Sequence, residues 1–197
     1  MRKWLIPGII IAVLVIWSIS SYNSLVVVKA DAKTAWSNVE SSYQRRNDLI
    51  GNLVKTVQGA ADFEKGTLTA VIEARAKATS VTVDPANISP DQLAAFQQAQ
   101  SGVSGALSRL LVSVERYPEL KANQNFLELQ SQLEGTENRI NVTRDRYNEV
   151  VNIYDKKIQS FPSIIFAKLF GFEEMARFKA EAGAEKAPDV EFNFDKK

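Results

Sequence analysis

Apolar residues follow three patterns along this chain. The first is an unbroken run. After Arg2 and Lys3 no charged residue appears until Lys29, and residues 4–17 read WLIPGIIIAVLVIW, extended by Ile19 and by Leu25, Val26, Val27 and Val28. As a helix, residues 4–28 would span about 37 Å, enough for a hydrocarbon core of about 30 Å. The second pattern is a helical stripe over residues 29–80: Trp36, Val39, Tyr43, Ile50, Leu53, Val57, Ala61, Leu68 and Val71 recur at steps of three, four or seven. No proline interrupts residues 8–83, so the reading is one long helix continuing the apolar run. The third is a seven-residue repeat, Phe126, Leu133, Ile140, Tyr147, Tyr154 and Phe161, with Leu129, Val150, Val151 and Ile158 filling neighbouring positions. That period predicts left-handed bundle packing.

Punctuation divides these elements. Pro85 and Pro90 mark a loop at residues 80–92, and Ser89-Pro90-Asp91-Gln92 has the form of a helix start with a capping box. The next helix is expected to run to about Arg116, with Leu93, Phe96, Val103, Leu107, Leu110, Leu111 and Val114 inward and Gly102 and Gly105 admitting a neighbouring backbone. Phe161-Pro162 closes the heptad helix. A fourth segment, residues 163–180, carries IIFAKLFGF, and residues 181–197 read as an extended or disordered polar tail with an alternating Val190, Phe192, Phe194 strip. The predicted class is all-α: an N-terminal transmembrane helix (1–28) continuing into a four-helix up-and-down bundle (29–180), then the tail (181–197). Up-and-down helices alternate direction. With one helix over residues 29–80, IIFAKLFGF is expected at the far end from the bilayer, on the bundle tip or another subunit, although such a run also suits a membrane surface.

Trp4, Trp17 and Tyr22 suit membrane interfaces, and Pro7 falls in the first turn, where its missing N–H costs little. A cleaved signal peptide is the rival reading, with Ser18 and Ser20 before the cut. Serine in place of alanine and the return of apolar residues at Leu25 favour a retained anchor. Arg2 and Lys3 beside the run favour an inside N-terminus and a bundle outside the cytoplasm, although Lys29 and Lys33 lie on the other flank.

Composition narrows the chemistry. The 197 residues include no cysteine and no histidine. This excludes thiol nucleophiles, disulfides, lipoprotein attachment, Cys/His zinc sites and imidazole catalysis. Without Arg2 and Lys3, 22 basic side chains face 23 acidic ones, which argues against nucleic acid as a partner. No phosphate-loop, nucleophile-elbow or metalloprotease motif occurs, so no catalytic, cofactor-binding or metal-ligating residues are assigned. Five charges fall on the apolar stripes: Arg46, Glu64, Glu115, Glu137 and Arg144. They read either as a buried ligand site or, preferably, as ion pairs that set helix register.

Several blocks resemble the LemA family: SYNSLV (21–26), QRRNDLIGNLV (44–54), Glu73-Ala-Arg75, ERYPELKANQNFLELQSQLEGTENRI (115–140), RDRYNEVVNIYD (144–155), Phe161-Pro162 and APDVEFNF (187–194). Gly51 stands where that family usually has proline, and Asp155 where it usually has asparagine. The resemblance implies a membrane-attached four-helix bundle of the bacterial envelope without assigned catalytic residues; one branch is associated with magnetosome formation. Two roles follow as expectations. One is a self-associating scaffold in the membrane, a reading drawn partly from the surplus length of a helix over residues 29–80. The other is a membrane-tethered sensor or adaptor for a peptidase or envelope-stress partner.

Overall fold

The computed structural model describes residues 5–59 and 63–179. Trp4, Ala61 and the tail at 181–197, on which sequence expectations were placed, lie outside the described residues. Among the described residues there are six helices: α1 (Leu5–Gln58), α2 (Lys65–Ser80), α3 (Pro90–Val114), α4 (Pro118–Lys121), α5 (Gln124–Gln159) and α6 (Ser163–Leu169). The fold is all-α, with a long apolar N-terminal helix packing against a bundle. α1 is continuous from its apolar start into the core, as its pattern predicts, and covers about 81 Å at 1.5 Å per residue. Its side chains from Ile6 to Ile16 are exposed, and Leu25 is the first fully buried one.

Helix directions follow from which residues share a core. Near the start of the bundle, Leu25, Ala32, Trp36, Val39 and Tyr43 of α1 meet Ile140, Tyr147, Val151, Tyr154 and Ile158 of α5. Farther along, Leu49, Ile50, Leu53 and Val57 meet Phe126 and Leu133. α5 therefore runs antiparallel to α1. α2 packs on α3, and their connecting loop returns Val83 and Ile88 to the core around Trp36. The path is up, down, up, down through α1, α2, α3 and α5.

The expected single helix over residues 29–80 is thus wrong. α1 stops at Gln58, where the Gly59 N–H closes onto the Lys55 carbonyl, and α2 begins at Lys65. A straight continuation would carry Leu68 and Val71 past the start of α5 into water. Reversal buries both of them, along with Ala78, against α3 and seats Phe63 on Tyr117, ring centroids 4.9 Å apart. Burying one such side chain is worth about 1.5–3 kcal/mol, and Gly59 at the turn weakens a continued helix by about 1 kcal/mol against alanine. The reversal also removes the surplus helix from which self-association was argued.

One extra reversal changes the end point. α5 descends, so α6 returns to the apolar end of α1: Phe166 packs edge-to-face on Trp17 at 5.1 Å and Phe170 on Tyr22 at 4.9 Å. The expectation that IIFAKLFGF lies far from the bilayer fails with the helix count on which it stood. Phe161, the last heptad position, is 82% exposed because α5 ends two residues earlier. Gly102 and Gly105 face open space and admit no neighbouring backbone. Other local readings hold. The Gln92 N–H donates to Ser89 Oγ and the Ser89 N–H to Gln92 Oε1. Gly51 leaves room for the Arg75 guanidinium, 3.4 Å from where a Cβ would stand.

Candidate functional site

Among the five striped charges, Arg46 alone is buried, with 3% of its side chain exposed. It sits on α1 between Tyr43 and Ile50, in phase with the apolar stripe, so the helix carries it inward. Its Nη1 donates to Glu137 Oε2 at 3.1 Å and to Ser104 Oγ at 3.3 Å, and its Nη2 donates to the side chain and backbone carbonyls of Gln100. Nε has no partner. The guanidinium also lies 4.9 Å from the Tyr43 ring centroid. One cation thus ties α1 to α3 and α5. Glu137 is half exposed, so the pair is desolvated on the arginine side only.

Above this pair a solvent-open cavity of about 420 Å³ separates α3 from α5, lined by Tyr43, Arg46, Gln97, Ser101, Glu137 and Arg144 among others. Arg144 lies over the Phe178 ring at 4.7 Å and, among the described residues, has no carboxylate within ion-pair distance. Burial raises the Tyr43 phenol, with Arg144 and Arg46 opposing, so it remains a neutral donor at physiological pH. The cavity offers two guanidiniums against one carboxylate, with amide and hydroxyl donors around them. It suits an anionic or strongly accepting group and holds no activated nucleophile. Among the described residues no group of three or more acidic side chains converges as a metal site would require.

The remaining two charges lie elsewhere. Glu64 pairs with Arg116 at 3.0 Å at the far end of the bundle, and Glu115 pairs with Lys121 next to α4. Both are exposed, contrary to their expected inward placement. Glu64 precedes α2, beyond the turn where the α1 phase ends, and Glu115 is the residue that caps α3. Gln100 and Ser104 are the partners that sequence reasoning missed. Gln100 lies four residues after Phe96 and three before Val103, so the α3 stripe points to it.

A second polar array was invisible in the sequence. Residues 172–178 form an extended strap along α5. Tyr147 Oη donates to the Ala176 carbonyl and Tyr154 Oη to the Glu173 carbonyl, each at 2.8 Å. Asn148 exchanges two hydrogen bonds with the Phe178 backbone, and the Met175 N–H donates to Asp155 Oδ1. The Ala176 N–H donates to the Ile88 carbonyl in the α2–α3 loop. The extended backbone would otherwise be buried unsatisfied; polar groups spaced along the inner face of α5 satisfy it. Burial and the nearby Asp155 raise both phenols, Tyr154 to about 12, so both remain donors at neutral pH.

A family model described as the LemA family matches residues 35–192. The magnetosome protein MamQ 1 of Paramagnetospirillum magneticum and MamQ of Magnetospirillum gryphiswaldense are each 27% identical to this chain over 80% of its length. The chain spans about 64% of the length of these two relatives. Protein LemA of Metamycoplasma hominis is 25% identical, with 80% of this chain and 68% of that one aligned.

Proposed function

This chain belongs to the LemA family, and from that premise we propose that it is a non-enzymatic scaffold of the bacterial envelope, held in the membrane by α1. The carrying observation is the continuity of α1. Fifty-four residues form one helix whose first turns are apolar and exposed and whose remainder is the central member of the bundle. No linker separates the apolar turns of α1 from the bundle. Two of its relatives are named as magnetosome proteins. In this reading residues 1–28 anchor, residues 29–180 form the bundle and the bundle faces outside the cytoplasm. Washing membranes with alkaline carbonate tests the proposal: retention of the full chain until detergent is added supports it, and release by the wash contradicts it.

One observation favours a second reading as sensor or adaptor. The cavity beside Arg46 has unspent donors, and a carboxylate of a partner or ligand would complete them. A foreign chain in stoichiometric amount in the extracted particle, lost on Arg144→Ala with the fold intact, would favour this alternative.

A further inference from the structure

Exposed apolar side chains elsewhere on the bundle, such as Ile72, Val112 and Val142, stand singly and need no explanation. Around α6 they cluster. Besides Phe161, Leu169 is 71% exposed, Ile165 53% and Phe170 51%. The opposite face of the same short helix, Ser163, Phe166 and Ala167, is buried. Apart from Lys168, whose long side chain can carry its charge toward the headgroups, the uncovered side of α6 is apolar, and only the other side has protein against it.

Its level along α1 identifies what lies on the other side. Phe166 packs on Trp17, and Phe170 and Phe172 pack on Tyr22. A bilayer core of about 30 Å takes about 20 helical residues. A span beginning at Leu5 therefore ends near Ser24, immediately before Leu25, the first fully buried core residue. Trp17 then lies about 10 Å inside that boundary at 1.5 Å per residue, and whatever packs on it shares its depth. Charge agrees with this placement. Lys168 is the single charge from residue 161 to 172, while Lys29, Lys33, Lys156 and Lys157 lie toward the headgroups, Lys29 over the Phe172 ring at 5.4 Å. Hydrocarbon also demands that backbone groups be satisfied within the protein. Four N–H groups at or just past the ends of the helix are bonded locally: Ile164 to the Ser160 carbonyl, Ile165 to Pro162, Phe170 to Phe166 and Phe172 to Ala167.

We infer that α6 is a second membrane contact, a wedge seated in the leaflet from which the bundle emerges, with lipid acyl chains covering Phe161, Ile165, Leu169 and Phe170. This rests on the reading of α1 as the anchor. A single spanning helix can swivel and tilt; a wedge packed beside it fixes how the bundle leans on the membrane.

Because the chain has no cysteine, full-length single-cysteine variants can carry one fluorophore each in liposomes containing either a lipid-attached or a water-soluble quencher. Ile165→Cys and Leu169→Cys should be quenched by the lipid-borne agent to an extent comparable with Val13→Cys, while Val142→Cys should respond to the aqueous agent. If labels at 165 and 169 behave like the one at 142, the wedge does not exist. Shielding from both quenchers together with label-to-label contact would assign the patch to a second copy and overturn the inference. Aqueous quenching at Val13 as well would sink the anchor reading itself, an outcome separable from failure of the wedge alone.

Discussion

The two ends of the bundle are held by different kinds of contact. Near the membrane the core is aromatic and cross-linked by hydrogen bonds: Trp36 meets Phe96, Tyr147 and Phe178, and the strap hangs on Tyr147, Asn148, Tyr154 and Asp155. At the far end Ile50, Leu53, Val57, Val103 and Leu110 pack with few polar ties, and the ion pairs there are exposed. Aliphatic packing tolerates exchange of similar volumes, whereas a hydrogen-bonded array fixes one arrangement. Specificity is therefore concentrated next to the membrane, where α6 and the strap must be placed against α1. The far end supplies mainly burial.

Substitution at Trp36 should break this contrast most severely. Trp36→Ala should cost about 3–5 kcal/mol, against about 2–5 for Leu110→Ala. The near-ultraviolet circular dichroism should collapse for the first and largely persist for the second. Equal loss of aromatic order in both would mean the two ends are one cooperative array.

Between the two ends sits Arg46. Glu137→Ala should cost about 1–3 kcal/mol in denaturant unfolding, because a buried guanidinium loses its charged acceptor while Gln100 stays. Glu137→Gln should cost less, since the amide oxygen can still accept. Full stability in both variants with lost cellular function would instead favour a ligand role for the cavity.

Asp155 sharpens the account from the other direction. Burial, offset in part by the Met175 N–H and Arg177, raises its carboxyl above the ordinary value. A raised folded-state pKa means that the fold binds this proton more tightly than the unfolded chain does. The group's contribution is present below its unfolded pKa and fades as pH rises through the folded one. Asp155→Asn keeps an acceptor for Met175 without a buried charge. It should stabilise the protein at pH 7, with the gain shrinking toward acid pH. A loss at neutral pH would show that the Arg177 pair outweighs burial. The smallest effect belongs to the far end, where Glu64→Ala should change stability by less than about 0.5 kcal/mol.

These residues also show what the sequence could convey. Heptad spacing identified the inner face of α5 through Tyr154, and the Ser89–Gln92 box located the start of α3 to the residue. The α1 stripe correctly carried Arg46 inward. The turn after Gln58 escaped because Val57, Ala61 and Leu68 keep helical steps straight through it, and nothing in a period records that the helix reverses. From that omission followed the misplaced Glu64, the spurious surplus of helix and the wrong end for α6. The strap escaped for a different reason. Tyr147 and Tyr154 read as ordinary core positions, and their hydroxyls acquire a role only when residues 172–178 return alongside them.

The central claim is that the chain comes back to the apolar end of α1. Spin labels at Ser20→Cys and Leu169→Cys in the full-length protein, reconstituted in liposomes and measured by pulsed dipolar spectroscopy, report it directly. The account predicts a short separation, with both labels at the Trp17–Tyr22 level of α1. A separation of about 54 Å, the length of α1 from Tyr22 to Gln58 at 1.5 Å per residue, would place α6 at the far tip and contradict it.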